Sequence, residues 1–180
     1  MRIVIKIGTS TLAYATGRLN IRRVEELCRT MCDLKNAGNE IILISSGAIG
    51  MGVGKLGLKA RPDDIPTKQA AEDIENKKRC ENFRNTIFRL LELGAFPVVN
   101  ENDTVATDEI VIGDNDTLAA IVAANVGADL LVLLSDIDGL YTKDPHKSPD
   151  AALLSEVTDL TPEILALGEG KGSQLGTGGM

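Results

Sequence analysis

Short apolar runs alternate along this chain with segments in which apolar residues return every three or four positions, and most of the apolar runs end in small or polar residues. Arg2 to Ile7 reads as a buried strand that stops at Gly8, Thr9 and Ser10, residues small enough to let the backbone approach a ligand. Asn20 is placed to cap a helix running to Ala37, with an apolar stripe of Ile21, Val24, Leu27, Cys28, Met31 and Leu34 and a stop at Gly38. A second strand, Glu40 to Ile44, runs into Ser45, Ser46, Gly47 and Ala48. A helix from about Asn76 to Leu93, closed by Gly94, feeds a strand at Ala95 to Val99. A helix at Thr117 to Ala124 precedes Leu130 to Leu134, whose unbroken apolar run is expected of a central strand covered on both faces, followed by a polar turn at Ser135 to Gly139. Strands alternating with helices predict an α/β fold built on a mostly parallel, doubly wound sheet. The polar clusters all fall on the carboxyl edge of that sheet, where open α/β sheets bind ligands.

The most informative of these clusters is NENDTVATDEIVIGDND, Asn100 to Asp116. Amides and carboxylates held between a strand's carboxyl end and a helix's amino end suit an amino group or a magnesium-bound phosphate. An Asx-rich turn followed by an N-cap would use the same residue types; what favours a site is that the other strand ends carry polar turns on the same edge. Lys6, an amine inside an otherwise apolar strand, is costly to bury unpaired and is expected to meet an anion; the alternative is an edge-strand lysine facing solvent.

Composition narrows the classes. The chain has 180 residues, 43% hydrophobic and 25% charged, which fits one ordinary globular domain. A formal net charge of −7 with no basic patch argues against nucleic acid or a membrane surface as partner, and 3% aromatic content argues against base stacking. Cys28, Cys32 and Cys80 are expected to be reduced thiols of a cytoplasmic protein; with His146 as the single histidine, no four-ligand metal set can be assembled. The opening MRIVIKIG is too short for a signal peptide, and no run approaches a membrane span. Gly52, Gly54 and Gly57 match G-x-G-x-x-G, but several residues after their strand ends, which fits a substrate-side loop better than a dinucleotide turn. No Walker A motif is present.

These residues resemble the glutamate 5-kinases of the amino acid kinase superfamily. The resemblance is carried by KIGTS (Lys6 to Ser10), SSGAI (Ser45 to Ile49), NENDTVAT (Asn100 to Thr107), GDND (Gly113 to Asp116), SDIDGLYTKDP (Ser135 to Pro145) and GTGGM (Gly176 to Met180). NEND followed by GDND at this spacing is the specific part; the opening K-x-G and the SDIDGLYTKDP type of segment are shared with sister kinases. It implies a three-layer αβα sandwich with a mostly parallel central sheet. The implied reaction is transfer of the ATP γ-phosphoryl group to the side-chain carboxylate of L-glutamate, the first step toward proline. Ser46, Asp103 and Asn115 would grip glutamate. Lys6 would sit on the transferring phosphoryl beside Gly8 and Thr9, and Asp116 would orient lysines rather than act as a base. Ser135 and Asp136 would form the nucleotide side, Thr177, Gly178, Gly179 and Met180 its phosphate loop, and Mg²⁺ would ride on the nucleotide. Proline as feedback inhibitor and a homo-oligomer are expectations of the resemblance alone.

Two departures stand out. The family continues past GTGGM to a second phosphate-binding lysine and the last elements of the fold, whereas this sequence stops at Met180. The family also carries a further helix and strand after KQA, whereas Ala71 here runs directly into Glu72; roughly 30 residues, one βα unit, are absent at 71–72. Removing such a unit from inside a doubly wound sheet is expected to leave an incomplete domain, 1–180, with an unfilled core. A kinase for another small acid and a non-catalytic nucleotide-binding fragment are the competing readings.

Overall fold

A computed structural model of the protein describes residues 1–14, 16, 18–45, 77–100, 115–135 and 137–167. Four parallel strands, β1 (Arg2–Ile7), β2 (Glu40–Ser45), β3 (Val98–Val99) and β4 (Leu130–Leu134), form one sheet in the order β3-β2-β1-β4. Alternation along each strand sends side chains to opposite faces, and each face is buried by helices. On one face Ile3, Ile5, Ile7 and Ile41 pack with Met31 of α2 (Ile21–Asn36), after a short α1 (Thr9–Leu12). On the other, Val4, Ile42 and Ile44 pack with Ile87 of α3 (Lys77–Glu92) and with Leu118, Ala119, Val122 and Val126 of α4 (Asn115–Val126). A last short helix, α5 (Pro162–Leu167), lies exposed. The three-layer αβα arrangement expected from the sequence is therefore present.

Local signals act as anticipated in α2, where the Asn20 side chain accepts a hydrogen bond from Arg23 N–H and Gly38 ends the helix at φ 89°. Gly94 likewise leaves α3 at φ 70°. α4 is apolar on nearly all sides because it lies across the sheet, yet it starts at Asn115 itself, two residues before the expected Thr117, so the polar pair Asn115-Asp116 forms its first turn.

Three expectations are corrected. Leu130–Leu134 is not central: among the described strands β4 is the edge, with Leu130 44% and Leu133 36% exposed, since it has a partner only in β1. An unbroken apolar run reports burial against a neighbour without telling which neighbour is present. The α2 stripe is narrower than its sequence: Ile21 is 73% exposed and Cys28 is exposed, while Leu27, Met31 and Leu34 pack on the sheet. In the sheet β2 pairs directly with β3 through Leu43 with Val98 and Ile44 with Val99, and Ile42 and Ile44 are fully buried. The strand before the acidic cluster is short, Val98–Val99 rather than Ala95 to Val99.

The amino edge of the sheet is tied to the carboxyl-terminal parts of α3 and α4 by Arg2. Its backbone N–H donates to Asp129 Oδ2 at 2.6 Å, its Nε pairs with Glu40 Oε2 at 2.8 Å, a terminal nitrogen donates to the carbonyl of Val126, and the guanidinium lies 4.7 Å from the Phe88 ring centre. This one side chain holds the start of β1 to β2, to α3 and to the end of α4.

Burial sets the first expectation. In urea denaturation, Ile42→Ala should lower stability by about 2–5 kcal/mol. Ile21→Ala, on the exposed flank of α2, should change it by less than about 0.5 kcal/mol.

Candidate functional site at the carboxyl edge

Lys6 is the one charged residue in the described core, 7% exposed. Strand register explains how it got there. Lys6 shares the α4 face with Val4, and its register neighbours in the sheet are Ile44 on β2 and Leu133 on β4, so its strand position is flanked by aliphatic residues. It meets Asp116 Oδ1 at 2.8 Å; the carboxylate side chain is 22% exposed. The contact is a close charge pair rather than a directed hydrogen bond, since Asp116 Oδ1 has no partner of hydrogen-bond geometry.

The meeting follows from element lengths. With the end of α4 anchored at Arg2, the helix runs back along β1. The rise from Val126 to Asp116 is roughly 15 Å at α-helical pitch, and Arg2 to Lys6 spans about 13 Å of strand. Anchoring one end thus delivers the acid to the amine at the other. Asp116 in the first turn of α4 is further favoured by the positive end of the helix dipole.

Around this pair stand other residues expected from the sequence. Gly8 leaves the end of β1 beside the ammonium: a Cβ built there would lie 3.5 Å from Lys6 Nζ, 3.6 Å from Ser10 Oγ and 3.7 Å from the Leu134 carbonyl. A side chain would thus fill, without a clash, the space next to the cation that an anion's oxygen could use. The backbone of Thr9 begins α1, so the small-residue turn is really the entry to a helical turn. Asn115 donates from Nδ2 to Asn100 Oδ1 at 3.4 Å, which brings the two polar clusters together across the end of β3. Ser135 follows β4 directly. Ser46, Asp103, Asp136 and Thr177 to Met180 lie outside the described residues, as does the glycine segment Gly52 to Gly57. The structure therefore brings Lys6, Gly8, Thr9, Asn115, Asp116 and Ser135 to one edge.

Beside Ser135 an open cleft of about 710 Å³ is lined by Ser10, Thr11, Arg23, Leu27, Ser135 and Asp138, among others. Beyond it the chain folds back between Tyr141 and Leu153, where Lys147 and then the backbone N–H of His146 hold the Asp144 carboxyl below its ordinary value. Asn100 was part of the acidic cluster without a role of its own, and only the fold sets it against Asn115. Thr11 and Arg2 carried no sequence signal beyond a hydroxyl after a glycine turn and a cation at the start of a strand. All three cysteines are thiols; Cys80 donates to Asn125 Oδ1 between α3 and α4. Among the described residues, no helix is long and apolar enough to cross a membrane.

The buried pair makes a double-mutant prediction. Asp116→Leu alone should destabilise the fold by about 1–3 kcal/mol, because it strands the buried Lys6 ammonium without a counter-charge. Lys6→Met combined with Asp116→Leu should recover most of that loss in urea denaturation.

The model of the amino acid kinase family matches residues 1–77 and 63–180, two overlapping segments that together cover the chain. The chain is 47% identical over 209 residues to a glutamate 5-kinase of Moorella thermoacetica, covering 99% of the chain and 55% of that protein. It is 46% identical over 213 residues to that of Listeria innocua and 46% identical over 209 residues to that of Clostridium acetobutylicum, covering 99% of the chain and 77% and 78% of those proteins. It thus spans about half of the first relative and about three quarters of the others. Among solved structures, isopentenyl phosphate kinase superposes with a TM-score of 0.52 at 17% identity, over 88% of this chain and 81% of that one, a likeness of fold. With a parallel sheet between helical layers and this degree of identity to its relatives, the chain belongs to the amino acid kinase family, among the glutamate 5-kinases.

Proposed function

We propose that this chain is the amino acid kinase domain, residues 1–180, of an enzyme that transfers the γ-phosphoryl group of ATP to the side-chain carboxylate of L-glutamate, giving L-glutamyl 5-phosphate for proline synthesis in the cytoplasm. The observation that carries the reading is the buried Lys6–Asp116 pair beside Gly8, which has no side chain to fill the space next to the ammonium. The relatives' name supports the choice of glutamate over another small acid.

Phosphoryl transfer needs positioned charge more than covalent chemistry. An ammonium has three donors; in this reading one faces Asp116 and the others turn to the transferring phosphoryl. Asp116 keeps the ammonium from swinging away and balances its charge while the site is empty of phosphate. It has no proton to remove, since the attacking glutamate carboxylate is already ionised. Gly8 and the backbone at Thr9 would hold phosphate oxygens, and the amino end of α4 adds a positive field on the same side. Asn115, steadied by Asn100, would hold the substrate together with Ser46 and Asp103. Ser135 and Asp136 would contact the nucleotide, with Thr177, Gly178, Gly179 and Met180 on its phosphates. ATP supplies the phosphoryl group, and Mg²⁺ carried on its phosphates supplies further charge neutralisation.

Alignments of 209 and 213 residues exceed the 180 residues of the chain, and the family model matches in two segments that overlap at 63–77. Both support the reading that relatives carry a unit near 71–72 that this sequence lacks.

The test is ADP release by the purified chain with and without glutamate. Glutamate-dependent release is expected, falling by about 10²–10³ in Lys6→Ala, while Asp103→Ala should raise the KM for glutamate more than it lowers kcat. Binding of MgADP without any glutamate-dependent turnover would instead make the chain a nucleotide-binding fragment.

A further inference from the structure

The helical turn that carries the phosphate-facing backbone cannot hold its own position. α1 is four residues long, one turn, and an isolated helix of that length is not stable in water. Its place is set by what it touches. Thr11 Oγ1 donates to the carbonyl oxygen of Leu134 at 3.3 Å, and the Gly8 N–H donates to the same oxygen at 3.4 Å. On its other side, the Thr11 carbonyl accepts from a terminal nitrogen of Arg23, on the first turn of α2, at 3.4 Å. Thr11 is thus where α1, α2 and β4 meet.

The accepting carbonyl matters as much as the donor. Leu134 is the last residue of β4, and Ser135 follows it by one peptide bond. Gly8 and Ser135 are the two turns expected to face the nucleotide, and they come from strands far apart in sequence. The Gly8 N–H on Leu134 only continues the β1–β4 pairing and says nothing about where the chain goes after Gly8. The Thr11 hydroxyl is what ties the turn following Gly8 back to the peptide preceding Ser135. It is half-buried at the wall of the cleft that Ser10, Ser135 and Asp138 also line.

We infer that Thr11 is a positioning residue for the nucleotide site: its hydroxyl fixes the spacing between the Gly8–Thr9 turn and the Ser135 turn without touching substrate. The inference rests on the kinase reading above, and it concerns the nucleotide half of the site alone. Thr11→Val keeps the branched shape and removes the hydroxyl, whereas Thr11→Ser keeps the hydroxyl and removes the methyl.

The experiment is calorimetric titration of the full chain and both variants with MgADP, alongside amide hydrogen exchange of 8–12 in the unliganded proteins. Thr11→Val should bind MgADP about two- to tenfold more weakly, the effect of one hydrogen bond, and exchange faster at 8–12. Thr11→Ser should restore affinity to within about twofold, and the KM for glutamate should not move. Equal affinity in Thr11→Val and the unmodified chain would overturn the inference, as would a Thr11→Ser as weak as Thr11→Val, since the methyl would then be what matters. Failure of the unmodified chain to bind MgADP would overturn the kinase reading itself; exchange at 8–12 unchanged by Thr11→Val would then refute the hydroxyl tie independently.

Discussion

A buried ammonium on an otherwise apolar strand needs a counter-charge, and the arrangement of this molecule's carboxyl edge follows from supplying one. Lys6 sits near the end of β1, opposite Ile44 and Leu133 in the sheet register. Left unpaired there, it would oppose folding by more than a typical surface contact can offset. Asp116 answers it from 110 positions away in sequence, and so the amino end of α4 must lie over the carboxyl end of β1. A buried pair of this kind contributes little net stability over a well-packed apolar alternative. In the proposed reaction the pair, at a strand end beside Gly8, would hold a cation against a phosphate.

The opposite end of the sheet shows how that placement is achieved. Arg2 gathers Asp129, Glu40, the Val126 carbonyl and the Phe88 ring, and in doing so sets the axial position of α4 relative to β1. Helix and strand then run back together over nearly equal lengths. Structural polarity is therefore divided between two edges: a solvent-exposed latch at the amino ends and a partly enclosed charge pair at the carboxyl ends, with the aliphatic layers of Val4, Ile42 and Val122 between them.

The family's mode of action fits a sheet with this organisation. Parallel strands present all their carboxyl ends on one side, so turns separated along the chain by a helix and more become neighbours in space. Gly8 on β1, Asn100 on β3, Asn115 at the start of α4 and Ser135 on β4 converge in this way, each contributing one small or polar group on a rigid stem. A kinase of carboxylates requires little beyond such convergence, since the nucleophile is charged from the start and the catalytic task is to bring anions together against their repulsion.

Much of this was legible in the sequence. The alternation of strands and helices, the Asn20 cap, the glycine stops at Gly38 and Gly94, and the clustering of Lys6, Gly8, Asn115, Asp116 and Ser135 on one edge all follow from local periodicity and turn chemistry, which act over a few residues. What local pattern could not carry was adjacency. Leu130–Leu134 reads as a covered strand yet is the edge among those described, Ile21 and Cys28 continue an apolar stripe yet lie outside the packed face, and α1 was hidden in a turn. The partner of Lys6, the contact between Asn100 and Asn115, and the tie from Thr11 to Leu134 depend on which elements lie side by side. By itself the sequence determined which residues are strand, helix and polar turn, because backbone propensity and amphipathic period are written in neighbouring positions. Only the tertiary structure decided which of those turns share a charge pair or a hydrogen bond, because that depends on sheet order and on the rise of a helix matched against the rise of a strand.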